Sequence, residues 1–426
     1  MRLFLCLISL LAPLHADWTE FRGPLGNGHL PASSDSPQSY PTTWSEEQNI
    51  VWKTPVPGRA WSSPVVADEE IWLTNATPDG KKMSALCLDF KTGRIRHERL
   101  LFENESPEEL GNHVNGYGSP TPTIDDERVY LHFGSYGTAA LDRQSAEVLW
   151  ERRDLPCQHF RGPGSSPILH KNLLILTMDG IDVQYLVALD KKTGQTVWRT
   201  PRSTDFGDVE ADGKIRGDGD FRKSYSTPII FPHDGREVLL SAGAKAAIAY
   251  DANSGEELWH LTYNEFSTSS RPLLLRPDFA LISTGFGKSH LLGIRLTPGM
   301  RGDVTATAIA WDTFRRMPSR VSPIAVGSEL YTVNEKGILS KINSASGEID
   351  WFTSLGGPFS ASPVSADGHL YFADENGKTS VVRPGKKDDI ISVNQLDEGC
   401  MASPALHRGS LLLRTKSHLY RIAEQP

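Results

Sequence analysis

Basic and aromatic side chains recur at one kind of position in this 426-residue chain, just ahead of a Ser-Pro-like dipeptide. Eight such dipeptides occur: Ser63-Pro64, Ser119-Pro120, Ser166-Pro167, Thr227-Pro228, Arg271-Pro272, Ser322-Pro323, Ser362-Pro363 and Ser403-Pro404. Reading back from each proline gives Arg59 and Trp61, then His113, Asn115 and Tyr117, then His159 and Arg161, then Lys223 and Tyr225. Arg271, Arg320, Phe359, and Glu398 with Met401 complete the set. Arginine presents a planar fork that matches carboxylates and phosphates, and aromatic rings present flat apolar faces. Gathered in one place, these side chains make a site for a small anionic or carbohydrate-like ligand. Left apart, each Arg or Tyr braces a loop by bonding a free carbonyl. Acid–base chemistry is thinly supplied: Glu398 is the one acid in the set, and no spacing pairs His113 with His159.

The elements that would gather them are read from the stretch Ser166 to Trp198. Its apolar runs, Leu173-Leu174-Ile175-Leu176 and Leu186-Val187-Ala188-Leu189, are short and bounded by turn residues, as in buried strands. Asp190 to Gly194 is a turn, since Asp bonds its own backbone and Gly supplies positive φ. A further strand ends at Trp198. The unit cannot bury both faces alone, so copies must stack. Copies follow the eight dipeptides, with proline separations of 56, 47, 61, 44, 51, 40 and 41 residues. The closing half recurs at Asp142 with Trp150 (Ala146 in the glycine slot), at Asp251, Gly255 and Trp259, and at Asn343, Gly347 and Trp351. It is partial at Asp89-Gly93, where His97 takes the Trp slot. The last unit ends at Ile422 without a tryptophan. Asn49-Ile50-Val51-Trp52-Lys53-Thr54 matches Thr196-Val197-Trp198-Arg199-Thr200, so the N-terminus is expected to lend the last sheet its outer strand and close a ring.

The Ala-Leu-Asp-x-x-Thr-Gly-x-x-x-Trp pattern resembles the tryptophan-docking motif of the PQQ-like (quinoprotein-type) eight-bladed β-propellers, and the resemblance runs from about Trp18 to Ile422. It implies an all-β fold: eight four-stranded antiparallel blades, docked by tryptophans, with N- and C-terminal ring closure. Residues 17–47 are then an irregular arm and 48–426 the propeller. In such a ring the first strand of each blade lines a central channel, which would bring the basic and aromatic set to one mouth. The same repeat serves non-catalytic scaffolds such as BamB and PQQ- and calcium-dependent dehydrogenases. The first reading implies ligands or envelope proteins as partners. The second implies a vicinal Cys-Cys pair, a calcium-binding acid set and a catalytic Asp. No Cys-Cys occurs here, and the mouth candidates are basic and aromatic, so binding or scaffolding is the expected function. The carboxylates of PQQ would still suit the basic mouth.

Net charge is −8, which argues against a general nucleic-acid binder, and mean hydropathy is −0.34. Met1 to Ala16 reads as a signal peptide, with Arg2 ahead of an apolar core and cleavage after Ala16. Export to the periplasm or beyond is expected, as a monomer without a membrane span. Cys87, Cys157 and Cys400 are too sparse for a disulfide framework. The longest insertion, Arg202 to Lys223, contains Asp208-Val-Glu210-Ala-Asp212-Gly, which resembles the start of a calcium loop. Its closing position holds Gly219 where a bidentate Glu is wanted, so a solvated acidic loop is the expectation.

Overall fold

Each blade is organised by its outer turn. In the third, Asp190 Oδ1 accepts hydrogen bonds from the N–H groups of Lys192 (3.0 Å) and Thr193 (2.9 Å) and from the Thr193 hydroxyl (2.9 Å). Asp142, Asp251 and Asn343 cap their turns in the same way. Gly194 closes the turn at φ +73°, and a Cβ there would lie 2.7 Å from the ring of Trp150, which belongs to the preceding blade. The glycine is therefore required twice, for the backbone and for the docking indole. Trp52, Trp198 and Trp311 sit on Gly93, Gly255 and Gly347 in the same manner. The indole N–H groups of Trp52, Trp150 and Trp311 donate to turn carbonyls of the next blade, at 2.9, 3.0 and 3.1 Å.

A computed structural model describes residues 17–31, 39–111 and 114–425. The signal-peptide reading of residues 1–16 and the candidate His113 lie outside the described residues. Eight small antiparallel sheets form the ring. Blade 1 runs from strand Val65–Ala67 to Ile95–Glu103, and blade 2 from Thr123–Ile124 to Val148–Arg152. Blade 3 runs from Ile168–His170 to Thr196–Pro201, blade 4 from Ile229–His233 to Glu257–Thr262, and blade 5 from Leu273–Arg276 to Ile309–Thr313. Blade 6 runs from Ile324–Val326 to Ile349–Ser354, and blade 7 from Val364–Ala366 to Ile390–Gln395. Blade 8 combines Ala405–His407, Ser410–Arg414 and His418–Ile422 with the N-terminal strand Ile50–Pro55. There Lys53 pairs with Tyr420 and Thr54 with Leu419, which closes the ring as expected. The core is the set of apolar layers between blades; Trp198 and Ile175 of blade 3, for example, pack with Ile248 and Tyr250 of blade 4.

Three features differ from the sequence reading. Blade 4 carries a fifth strand, Gly302–Asp303, which comes from an insertion in blade 5 and pairs parallel to Trp259 and His260. The second blade begins after Thr121-Pro122, not after Ser119-Pro120. The reason is a belt of hydrogen bonds joining neighbouring anchors. Ser63 N–H donates to Thr121 Oγ1 (2.9 Å), Thr121 N–H to Ser166 Oγ (3.0 Å) and Ser166 N–H to Thr227 Oγ1 (2.9 Å). Arg271, Ser322 and Ser362 N–H groups donate to Ser322, Ser362 and Ser403 hydroxyls at 2.9, 3.0 and 2.9 Å. The hydroxyl at each anchor ties one blade to the one before it, and only Thr121 is placed to do so in blade 2.

The third difference is the arm. Trp18 is fully buried and exchanges backbone hydrogen bonds with Val66 of blade 1 (2.9 and 2.8 Å). Ile124 N–H of blade 2 donates to Thr19 O at 2.9 Å. Arg22 reaches Pro323 O at the start of blade 6 (2.9 Å), and Ser365 N–H of blade 7 donates to Gly28 O (2.9 Å). Contacts on opposite sides of the ring require this segment to cross the axis, so it closes one end of the channel. Gly26, at φ +63°, lies flat on the Arg271 guanidinium, where a Cβ would approach to 2.6 Å.

Candidate functional site

The open end of the channel is a cavity of about 1030 Å³, and Phe21 of the crossing arm contributes to its wall. Of the residues singled out by sequence, Trp61, Asn115, Arg161, Tyr225 and Arg320 line it, together with Met401. Each comes from a different connection between blades, and the ring brings them together. Arg161 is paired with Asp220 through two contacts of 3.2 and 3.0 Å and lies over Phe160. Asp220 belongs to the long insertion, which thereby reaches the mouth. Arg320 stands 3.6 Å from Glu375 and 3.9 Å from Glu335. Asn115 donates to Pro163 O at 3.0 Å. Arg59 lies over the Trp61 ring at 5.8 Å.

The remaining candidates are placed behind the wall. Tyr117 is buried and donates to Glu108 O (2.6 Å). Arg271 is buried between Pro228 O (3.1 Å) and Glu20 of the arm (2.8 Å). Lys223 and His159 are buried together, with the Lys223 amine 3.2 Å from His159 Nδ1 and 2.6 Å from Asp179 O. Ser135 N–H donates to His159 Nε2 at 2.9 Å, which assigns the proton of the neutral ring to Nδ1, facing Lys223. Burial lowers the Lys223 pKa, and burial with the Lys223 charge holds His159 well below its ordinary value. The Cys157 thiol, 3.8 Å from His159, is pushed up to about 12 by burial. Glu398 braces the last hairpin: it accepts from Ser417 N–H (3.0 Å), the Ser417 hydroxyl (2.6 Å) and the Thr415 hydroxyl (2.9 Å). Burial pushes its carboxyl up, but these bonds prevail and bring it to about 2.

The three carboxylates of the calcium-like stretch do not converge. Asp208 is buried against Arg222 in a two-point contact of 2.9 and 2.8 Å, Asp212 faces Lys214, and Glu210 faces Arg216. No cluster of three His, Cys, Asp or Glu side chains suited to a metal occurs among the described residues. Each of the three carboxylates is paired with a cation of the same insertion.

Sequence reasoning missed the sector of the wall supplied by blades 4 to 6. It holds Phe266, Phe286, Phe314, Lys288, Arg316 and Lys336. Phe286, Lys288 and Lys336 sit after the anchors, on turns between the second and third strands of blades 5 and 6 that reading back from the prolines does not reach. Phe266, Phe314 and Arg316 precede Pro272 and Pro323 and were passed over in favour of Arg271 and Arg320. A run of ring contacts, Phe221–Phe266–Phe286, joins the insertion to this sector. Five cations line the cavity against two carboxylates, Asp220 and Glu335, in a protein of net charge −8.

No curated protein matches the sequence significantly. Among solved structures, BamB from Moraxella catarrhalis is similar, at 13% identity and a TM-score of 0.58, covering 88% of this chain and 99% of that one. The quinohemoprotein alcohol dehydrogenase ADHIIG from Pseudomonas putida HK5 is similar at 10% identity and a TM-score of 0.67, covering 96% and 81%. A quinohemoprotein alcohol dehydrogenase from Comamonas testosteroni gives 10% identity and 0.62 over the same shares. At these identities the likeness establishes the fold. The family model described as outer membrane protein assembly factor BamB matches residues 99–299 and 302–397, well over half of the chain, and the protein belongs to that family.

Proposed function

We propose that the protein is an exported, non-catalytic binding module that takes a small anionic or carbohydrate-like ligand at the open mouth of its propeller. Envelope proteins are the further partners that membership of the BamB family suggests. The observation carrying this reading is the cavity itself. Cations outnumber carboxylates five to two in a concave, partly apolar space, and such a space concentrates positive potential. His159, Lys223 and Cys157, whose pKa values are displaced, are buried together behind the wall, while on the wall itself burial raises the Tyr225 hydroxyl.

A second reading, a PQQ- and calcium-dependent dehydrogenase, draws on the quinohemoprotein neighbours. The mouth fits part of that requirement. Arg161, Arg320 and Lys336 suit the carboxylates of such a cofactor, and Trp61 suits its flat rings. The metal is not matched, since Asp220 and Glu335 are each engaged by neighbouring side chains or backbone. The binding module is therefore the better-supported assignment. It is tested by titrating the purified protein with citrate at rising ionic strength. Affinity is expected to fall as salt screens the mouth, and Arg320→Ala is expected to lower it with the melting temperature nearly unchanged. Salt-independent binding would remove the reading.

A further inference from the structure

The belt of anchor hydroxyls has a chemical consequence inside the cavity. Thr121, Ser166, Thr227, Ser362 and Ser403 all line it, and each hydroxyl oxygen already accepts one backbone N–H. None donates its own proton to another protein atom among the described residues. Each keeps an O–H to give and one lone pair with which to accept. Blade 5 interrupts the belt, because Arg271 replaces the hydroxyl there. The result is an arc of hydroxyls on blades 7, 8 and 2 to 4. Blades 4 to 6 face it with a different chemistry. Phe286 and Phe314 are 60% and 42% exposed, and Lys288 stands 3.8 Å from the centre of the Phe314 ring. Phenylalanine has no polar handle, and rings left this open at a polar mouth offer apolar faces for a ligand to cover.

We propose that the mouth takes an acidic oligosaccharide, with the hydroxyl arc bonding its oxygens, the phenylalanines covering the C–H faces of its sugar rings, and the cations pairing its acid groups. The proposal rests on the binding-module reading and names the ligand class. A small inorganic anion would leave the phenylalanines unused. A neutral sugar would leave the cations unused. Sugar hydroxyls both give and accept hydrogen bonds, which is what the arc can do in return.

The test is calorimetric titration of the full chain with trigalacturonate, maltotriose, citrate and benzene-1,3,5-tricarboxylate. Trigalacturonate is expected to bind at least tenfold more tightly than each of the others. Ser166→Ala and Ser403→Ala should each weaken trigalacturonate about fivefold, with Ser→Thr at the same positions restoring it. Phe286→Ala, at an exposed side chain, should weaken trigalacturonate and leave citrate unchanged. Should one alanine variant fail to fold, the other and Phe286→Ala carry the same comparison. Equal or tighter binding of the aromatic tricarboxylate would overturn the sugar assignment while leaving the binding module standing. So would wild-type affinity in folded Ser→Ala or Phe286→Ala variants. Failure of all three anions to bind would overturn the module reading itself.

Discussion

His132 and His159 are both buried and neutral, His132 pushed down to about 3 by burial and His159 shifted in the same direction. Their folded pKa values lie below the unfolded value near 6.5, so the unfolded chain takes up protons first as pH falls. The stability these residues confer is complete above about pH 6.5 and is lost progressively below it. Each should cost up to about 1.4 kcal/mol per pH unit in that range. Denaturant unfolding at pH 7, 6 and 5 checks this, and His132→Gln should flatten the slope. At this scale the sequence disclosed which residue types gather at the mouth but not which of them face it. Arg161 stands six residues before its proline and Arg271 directly before its own, and neither spacing tells which of them faces the channel. One lines the cavity, while the other is claimed by Glu20, a partner from an arm that follows no repeat. Arg271→Ala is accordingly expected to lower the melting temperature more than it lowers ligand affinity, and Arg320→Ala to do the reverse.

At the scale of the blade, the turn and its tryptophan form one device. Trp198 is buried on Gly255 of the next blade, and Trp198→Ala should cost about 3–5 kcal/mol. The same change at Arg199 on that strand should be mild in a thermal melt. Ala146 occupies a glycine position at φ +57°, a conformation that crowds its Cβ. Ala146→Gly is expected to raise stability by up to about 1 kcal/mol, and a lower melting temperature would contradict this account of the turn. These elements were legible in the sequence because Asp, Gly and Trp each answer a local requirement at fixed spacing. The fifth strand of blade 4 was not, since two residues, Gly302 and Asp303, carry no periodicity of their own. Ser119-Pro120 was mistaken for an anchor because a second candidate, Thr121-Pro122, follows at once, and only the hydroxyl belt between blades separates them.

For the molecule as a whole, Trp52-Lys53-Thr54 announced ring closure, because it repeats an outer strand that blade 8 lacks. The crossing of the channel by residues 17–30 went unread; a Gly-rich segment looks the same whether it wanders over a surface or seals an axis. Removing residues before Val56 should lower the melting temperature markedly, because blade 8 loses a strand and the channel loses its stopper at once. A deletion that melts like the full chain would refute both roles. The closure also sets a clock. Ile50 pairs with Ile422, so the contact that completes the ring joins positions 372 apart in sequence. Blades 1 to 7 are local hairpins that can form as the chain emerges, whereas blade 8 must wait for its last residues and then search for the first ones. That search is the slow, high-contact-order step of folding. Until it ends, Ile50–Pro55 and His418–Ile422 remain two open edges, the stage at which one copy of the chain can exchange strands with another.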